Sequence, residues 1–366
     1  MRATCLIPVA TLLLSACEMQ AQDLEENETN PIHMTTPVPG SYLSAATEQG
    51  TIEEFWYDSH DYTSASLPAT RKPAYVYLPY GYDPAKQYDV IYLLHGWTGV
   101  AQEYFLGRSG TDRTGLVNIF DNLIVNGNCR PFIAVSPTWD KDNQSKGWGE
   151  STDEAAVFSQ EYVRDLIPAL ETHYSTYLTT PDTAGILASR AHRALGGFSL
   201  GSITTWYVFE QVFAFTRMYL PMSGDNWSQG MYGGEYHPRE TAQFLADLVN
   251  ASPYGKDFYV WYAVGTEDVR LPQTHNQALA MAELTDTFNP SNFSYHMKDG
   301  GRHDFNAVYE FCYHALQFFF PAGMTNGVEH ISGNRVSGVP YNVLGQPVGE
   351  GYKGVVIQNG QKYISR

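Results

Sequence analysis

Cysteine, basic residues and long apolar runs are all scarce in this sequence, and each shortage excludes a class of protein. The 366 residues include 4 cysteines, of which only Cys129 and Cys312 lie beyond position 17. Two cysteines so far apart form no disulfide framework and lack metal-ligand spacing, so we expect both to be free and buried. A disulfide between them in an exported protein is the alternative.

Lysine and arginine number 22 against 39 aspartates and glutamates, and the formal net charge is -17. A surface this acidic argues against nucleic acid or any other polyanion as a partner, because such ligands require a basic face. It suits neutral ligands such as sugars. The aromatic content of 14% is consistent with sugar or phenol binding, although aromatic side chains also fill cores.

Beyond the N-terminus no apolar run reaches the roughly 18 residues of a transmembrane helix, so we expect no membrane-spanning segment in the mature protein. The first residues resemble an export signal, with Arg2 before a short apolar region. Leu14-Ser15-Ala16-Cys17 resembles a bacterial lipobox, which predicts a signal peptide over residues 1–16 and lipidation of Cys17. We therefore expect an exported protein, either an outer-membrane lipoprotein or a secreted protein. An ordinary signal peptide with a chance cysteine is the alternative.

Changes in composition divide the rest of the chain. Residues 17–50 are polar and contain several prolines, and we interpret them as a flexible tether. Residues 51–321 alternate strand-like and helix-like segments; residues 90–94, for example, form a continuous apolar run typical of a strand buried on both faces. This alternation predicts an α/β fold with a doubly wound, mostly parallel sheet.

Gly197-Phe198-Ser199-Leu200-Gly201 has the Gly-x-Ser-x-Gly pattern of a nucleophile elbow. In such an elbow a strand turns sharply into a helix and exposes the serine hydroxyl, while the two glycines permit close approach of the backbone. A strand-like segment precedes Ser199 and a helix-like segment follows it. A serine nucleophile also requires an acid and a histidine, in that order along the chain.

His303 lies in a glycine-rich loop between the last strand and the last helix, where a base reaches the serine. Three other histidines fit structural positions better: His192, His296 and His314. Asp268 directly follows a strand and is the predicted acid, with Glu267 as the alternative.

The oxyanion hole requires two backbone N–H groups directed at the developing negative charge. One comes from the residue after the nucleophile, here Leu200. The other comes from the loop after the early strand, where we assign it to Trp97. The ring of His95 is expected to brace that loop.

Four further residues are predicted to contact substrate. Asp225 and Trp227 follow a strand in a loop that we expect near the acyl pocket. Trp139 and Trp148 flank a polar insertion, residues 140–147, that is expected to form a lid or a sugar platform. Packing for stability is the alternative for these tryptophans.

Six separated segments occur in a fixed order: Leu93-Leu94-His95-Gly96, Asp121-Asn122-Leu123-Ile124, Asp165-Leu166-Ile167-Pro168, Gly197-Phe198-Ser199-Leu200-Gly201, Gly265-Thr266-Glu267-Asp268 and Gly300-Gly301-Arg302-His303-Asp304-Phe305-Asn306. Together they closely resemble carbohydrate esterase family one, particularly the feruloyl esterase domains found beside xylanases. The resemblance covers roughly residues 51–321. Arg302 departs from it, because a glycine is common there.

The resemblance implies an α/β-hydrolase fold and hydrolysis of feruloyl esters on plant cell-wall arabinoxylan or feruloylated oligosaccharides. It implies catalysis by Ser199, Asp268 and His303 without a metal or cofactor. The family also contains acetylxylan esterases with the same triad, and this activity is an alternative. A non-catalytic carbohydrate-binding relative is a further alternative.

Residues 322–366 are rich in glycine, asparagine and valine and too short for a large core. Asn359-Gly360 is the strongest hairpin turn in the chain and predicts a short C-terminal β-hairpin. The segment also resembles the C-terminal sorting segments of Bacteroidetes-type secreted enzymes. A hairpin that stabilises the preceding domain is the alternative.

The lipobox generates a direct test. A palmitate analogue fed to bacteria that express the full chain should label the wild type and leave Cys17→Ala unlabelled. An unlabelled wild type would contradict lipidation and favour the ordinary signal peptide.

Overall fold

The structure is a computed structural model that describes residues 31–101, 105–107, 113–322, 341–342, 353–358 and 361–365. The chain contains two compact units, which divide after Ala322. Among the described residues, nine strands form the sheet of the first unit and three form that of the second. The strands are β1 Ile32–Met34, β2 Thr51–His60, β3 Ala69–Leu78, β4 Asp89–Leu94, β5 Phe132–Ser136, β6 Arg193–Phe198, β7 Met218–Met222, β8 Tyr259–Gly265, β9 Phe293–Lys298, β10 Tyr341–Asn342, β11 Gly354–Gln358 and β12 Gln361–Ser365.

The helices of the first unit lie in the connections between its strands. They are α1 Gly115–Val125, α2 Trp148–Glu161, α3 Ile167–His173, α4 Thr183–Ala188, α5 Leu200–Val212, α6 Gly233–Tyr236, α7 Pro238–Ala251, α8 Leu271–Glu283 and α9 Phe305–Phe319. A π-helical segment, Tyr162–Leu166, joins α2 to α3.

The nine strands lie in the order β1-β9-β8-β7-β6-β4-β5-β3-β2. In this sheet order, every neighbouring pair from β1 across to β5 is parallel. Strand β3 pairs antiparallel with β5, and β2 pairs antiparallel with β3. Every residue of β4, β5, β6 and β7 is buried, as expected for strands with helices on both faces. The predicted doubly wound, mostly parallel sheet is confirmed.

Two apolar clusters pack on opposite faces of the sheet. One contains buried residues of α2, α5, α7 and α8, and the other contains those of α1 and α9. Parallel strands end at the same edge of a sheet, so the loops after β4, β6, β7, β8 and β9 gather at its carboxyl edge. That edge holds the candidate site.

The interpretation of residues 17–50 as a tether is wrong for residues 31–50. Strand β1 pairs in parallel with β9 at the edge of the sheet. The ring of Tyr42 packs edge-on against Tyr313, 5.6 Å between centroids, and its hydroxyl donates to Asn128. A three-residue edge strand shows too little alternation to stand out from the sequence. Residues 17–30 and Cys17 lie outside the described residues.

In the second unit, β11 pairs antiparallel with β12, and β10 pairs antiparallel with β11. Gln358 pairs with Gln361, so the predicted C-terminal hairpin is confirmed. Its turn residues, 359–360, lie outside the described residues.

The structure bears on two expectations, that the two cysteines are free and that no segment spans a membrane. Cys129 and Cys312 are free and buried, as predicted. Burial raises the pKa of the Cys129 thiol to about 12. Within the described ranges, no helix combines the length and apolar character needed to span a bilayer.

Candidate active site

Ser199 lies at the turn between β6 and α5 with φ 58° and ψ -117°. A positive φ is costly for a residue with a side chain and requires support from its surroundings. Close packing supplies that support. A Cβ atom at Gly197 would lie 2.4 Å from the carbonyl oxygen of Gly201, and one at Gly201 would lie 2.1 Å from that of Leu94. Both glycines are therefore required by the elbow, as the sequence pattern predicts.

Three side chains form a continuous hydrogen-bonded chain at the carboxyl edge. The Nε2 atom of His303 lies 2.9 Å from Ser199 Oγ, and its Nδ1 atom lies 2.8 Å from Asp268 Oδ1. The Asp268 side chain is fully buried, whereas a quarter of the His303 side chain is exposed. A carboxylate that accepts from Nδ1 leaves Nε2 free to take the serine proton. The structure thus brings the three predicted residues together.

The choice between the two acids follows from their positions. Asp268 Oδ1 accepts from His303 and from the backbone N–H of Arg270 at 2.7 Å. Glu267 is half exposed and instead forms an ion pair with Arg302, 2.9 Å between Oε2 and Nε. Only Asp268 is placed to orient the imidazole. Glu267 and Arg302 link the acid loop to the histidine loop at the surface.

The acid loop and the histidine loop also touch through their backbones. A Cβ atom at Gly265 would lie 2.1 Å from the carbonyl oxygen of Gly301. Glu267 N–H donates to the same carbonyl at 2.8 Å, and Gly300 N–H donates to Thr266 Oγ1 at 2.8 Å. These contacts fix the distance between Asp268 and His303 at the carboxyl edge of the sheet.

His303 is held from two further sides. Its ring packs over Phe198, 4.4 Å between centroids, which places an apolar surface beneath the imidazole. The next residue, Asp304, caps α9 by accepting from the backbone N–H groups of Asn306 and Ala307. The loop therefore ends in helix α9, which begins two residues after the base.

The predicted oxyanion donors lie on two different elements. Leu200 is the first residue of α5, where a backbone N–H has no acceptor within the helix and the helix dipole favours negative charge. Trp97 lies in the loop after β4. Burial lowers the pKa of His95 to about 3, so its ring is neutral, and it lies 2.9 Å from the Gly96 carbonyl and 2.8 Å from Thr138 Oγ1. The expected bracing of the loop is therefore present, and the role of the two N–H groups stays a prediction.

The rival histidines have structural partners. His192 Nδ1 lies 2.8 Å from Asp89 Oδ1, outside the elbow. The ring of His296 stacks on Trp261 at 3.8 Å. His314 lies 2.8 Å from the backbone carbonyl of Thr36.

Comparison with known proteins agrees with this geometry. The model of the Esterase family matches residues 64–322. The chain belongs to this esterase family. It is 34% identical over 290 residues to endo-1,4-beta-xylanase Y of Acetivibrio thermocellus, an alignment that covers 78% of this chain and 24% of that protein. The esterase thus spans about a quarter of the xylanase that it matches.

Solved structures show the same relationship. A mutant of the feruloyl esterase module from Clostridium thermocellum, complexed with sinapinate, aligns with a TM-score of 0.67 and 31% identity. The alignment covers 82% of this esterase and 99% of that chain. The ferulic acid esterase of the anaerobic fungus Anaeromyces mucronatus, at 21% identity and a TM-score of 0.54, shares the fold. The chain is therefore a member of the Esterase family with the α/β-hydrolase fold.

Asp225 and Trp227 bond to each other in the loop after β7. Asp225 is 1% exposed; its Oδ1 accepts from the indole N–H of Trp227 at 3.0 Å and its Oδ2 from the backbone N–H of Gly234 at 2.8 Å. Burial raises the pKa of Asp225 to about 6. The carboxylate orients the Trp227 ring. Because Asp225 is buried and both its oxygens accept from groups of the protein, the predicted contact of Asp225 with substrate is wrong.

The two other tryptophans occupy different positions. Trp139 is 3% exposed and its ring lies 3.9 Å from that of His95. It therefore lies behind the loop after β4 that carries Trp97, here called the oxyanion loop. This corrects the predicted substrate contact, because Trp139 supports the loop and offers no open face. Trp148 is partly exposed and lies between Trp97 and Trp227, at centroid distances of 5.3 and 6.1 Å.

Behind the oxyanion loop lies a buried pair of carboxyl groups that the sequence does not indicate. Asp140 and Glu154 are 2% and 3% exposed, and Asp140 Oδ1 and Glu154 Oε2 have no hydrogen-bond partner among the described residues. Burial and then the neighbouring Glu154 raise the pKa of Asp140 to about 7. We expect a proton on Asp140 to be shared with Glu154, which would give both orphan oxygens a partner. In the sequence both residues resemble surface carboxylates. Asp140 lies in a polar insertion and Glu154 in a helix, and neither context indicates that the side chain is buried.

The carboxyl pair is connected to the oxyanion loop on two sides. Thr138 Oγ1 lies within hydrogen-bond distance of both His95 Nε2 and Asp140 Oδ2. Lys146 Nζ lies 2.6 Å from Glu154 Oε1, and the Lys146 carbonyl accepts from the Trp97 indole N–H at 3.0 Å. The predicted insertion at residues 140–147 is therefore anchored to the loop that carries Trp97.

We expect Gly201→Ala to destabilise the esterase by about 3 kcal/mol or more and to abolish ester hydrolysis, because the new methyl group overlaps the β4 backbone. Urea unfolding and hydrolysis of a p-nitrophenyl ester measure both effects. Gly149→Ala is the matched control, since a Cβ there meets nothing within 4 Å. A Gly201→Ala variant as stable and active as this control would contradict the close packing.

We expect Asp140→Asn to gain stability relative to the wild type as the pH rises from about 4 to about 7. In that window the folded protein holds a proton on Asp140 that the unfolded chain has lost, so this group's contribution to stability decreases with pH. The neutral amide keeps a donor beside Glu154 at every pH. Melting temperatures of both proteins, with the exposed Asp142→Asn as control, test this. A difference that stays constant between pH 4 and pH 8 would contradict proton sharing.

Proposed function

We propose that this esterase hydrolyses feruloyl and related hydroxycinnamoyl esters carried by plant cell-wall arabinoxylan or its oligosaccharides. The observation that carries the proposal is the Ser199–His303–Asp268 hydrogen-bonded chain in a protein 31% identical to a feruloyl esterase module complexed with sinapinate. A second relative, an endo-1,4-beta-xylanase/feruloyl esterase of Xylanibacter ruminicola, is 30% identical over 164 residues, 43% of this chain and 19% of that protein.

In the proposed mechanism, Ser199 Oγ attacks the ester carbonyl while His303 Nε2 takes the hydroxyl proton. Asp268 stabilises the imidazolium that forms. The carbonyl oxygen becomes an oxyanion, which accepts hydrogen bonds from the backbone N–H groups of Leu200 and Trp97. Each such donor is worth about 3 kcal/mol in the transition state.

The tetrahedral intermediate collapses when His303 returns the proton to the departing sugar hydroxyl, which leaves a feruloyl ester on Ser199. Water then attacks this acyl-enzyme, and His303 takes its proton. The second collapse releases the hydroxycinnamic acid and restores the serine. Trp227, oriented by Asp225, provides an aromatic wall for the phenolic ring.

We also propose that the protein is exported, on the evidence of the lipobox-like sequence ending at Cys17. A cell-envelope or secreted enzyme meets a substrate too large to enter the cell.

Whether residues 322–366 act in sorting is tested by deletion of residues 327–366 and measurement of the amount of protein exposed at the cell surface. Unchanged exposure would favour a stabilising role.

The activity is tested with methyl ferulate, feruloylated arabinoxylan and acetylated xylan. We expect release of ferulate, a loss of about 10⁴-fold or more in kcat for Ser199→Ala, and a loss of about 10³- to 10⁴-fold for Asp268→Ala. Glu267→Ala is the matched control at the neighbouring carboxylate and should stay within about threefold of the wild type.

Release of acetate without ferulate would overturn the feruloyl specificity in favour of an acetylxylan esterase. A protein inactive on every ester that still binds xylan would favour the carbohydrate-binding alternative. An inactive Glu267→Ala beside a nearly normal Asp268→Ala would reverse the assignment of the acid.

A further inference from the structure

Exposed apolar side chains gather around the mouth of the candidate site. In the described part of the chain, Trp97, Met231, Tyr236 and Val269 are 43%, 48%, 64% and 72% exposed. Trp97, Met231 and Val269 lie on loops and Tyr236 ends the short helix α6, and all four follow the carboxyl ends of β4, β7 or β8. A single exposed apolar residue is ordinary, but a group beside a catalytic site marks a surface that binds something.

The aromatic members of this group are joined through two partly buried rings and the buried ring of Trp227 into one series, the aromatic row. It consists of Trp97, Trp148, Trp227, Tyr232 and Tyr236. Successive ring centroids are 5.3, 6.1, 5.9 and 6.5 Å apart. The row runs from the loop after β4, through Trp227, to helix α6, and its two ends are the exposed rings.

The far end of the row is built at a conformational cost. Tyr232 adopts a left-handed conformation, φ 63° and ψ 33°, which is unfavourable for a bulky side chain. Two contacts engage its ring: the Arg270 guanidinium lies 5.2 Å from the ring centroid, and the Trp227 ring packs edge-on at 5.9 Å. Strain that the surroundings maintain at an exposed turn is characteristic of functional positions.

The row is continuous with the catalytic groups on both sides. Arg270, which contacts Tyr232, donates its backbone N–H to Asp268 Oδ1. At the other end, Trp97 belongs to the loop with the predicted oxyanion donor. Both ends of the row therefore adjoin loops that carry predicted catalytic groups.

We propose that the aromatic row is a subsite for the polysaccharide chain that carries the ester, with the exposed rings of Trp97 and Tyr236 stacking on its sugar residues. This inference rests on the proposed function. A sugar ring has an apolar C–H face and hydroxyl groups at its edge, so it covers an aromatic ring while its hydroxyl groups stay in water. Tyrosine and tryptophan suit such a half-wet contact. The net charge of -17 favours a neutral chain over an anionic polymer.

The test compares substrates with and without the sugar chain. Tyr236→Ala should lower kcat/KM for feruloylated arabinoxylan oligosaccharides about fivefold to tenfold more than for methyl ferulate, through KM, because one apolar ring contact is lost. Tyr80→Ala is the matched control. Tyr80 is 55% exposed but follows β3, whose end lies at the opposite edge of the sheet, and it should leave the ratio of the two kcat/KM values unchanged.

A second measurement removes the chemistry. Ser199→Ala should be retarded by de-esterified arabinoxylan in a native gel, and adding Tyr236→Ala should abolish most of that retardation. An unchanged substrate ratio together with unchanged retardation would overturn the subsite. A wild type that releases no ferulate from either substrate would instead overturn the proposed function, so the two failures are distinguishable.

Discussion

The contact between the backbone of Gly201 and the end of β4 is the constraint on which the site depends. With 2.1 Å between a Cβ at Gly201 and the Leu94 carbonyl oxygen, only a glycine admits the helix this close to the sheet. The approach places Ser199 at the carboxyl edge in a positive-φ conformation and brings the N-terminus of α5 beside the loop after β4. Nucleophile and both predicted oxyanion donors thus follow from one packing contact between two main chains.

The second close contact, between Gly265 and Gly301, does the same for the acid and the base. Hydrogen bonds between main-chain groups of the two loops fix their separation, so the His303 to Asp268 distance of 2.8 Å does not depend on long, flexible side chains. Main-chain contacts are stiff, because they leave few rotamers to sample. The exposed Arg302–Glu267 ion pair adds little by comparison, since surface pairs are weak.

Charged groups are used differently on the oxyanion side. There, buried Asp140 and Glu154 support the loop from behind through Thr138 and Lys146. Buried carboxyl groups are costly unless they are neutralised or paired, and the raised pKa of Asp140 favours its neutral form in this part of the molecule. The same loop carries Trp97 at the mouth of the site, so its internal support and its outward aromatic surface are parts of one structure.

The sequence by itself determined the α/β class, the elbow, Ser199 and His303, because these depend on local patterns: continuous apolar runs, glycines at fixed spacing, and a polar loop directly after a strand. It narrowed the acid to two neighbouring carboxylates, Glu267 and Asp268. Only the tertiary structure decided which side chains are buried. It selected Asp268 over Glu267 and buried Trp139 against His95. It also buried Asp140 and Glu154, paired β1 with β9, and connected Tyr236 to Trp97 through three intervening rings. Each of these results depends on contacts between elements that are distant in the sequence. Burial follows from such packing, so a local sequence pattern does not predict it.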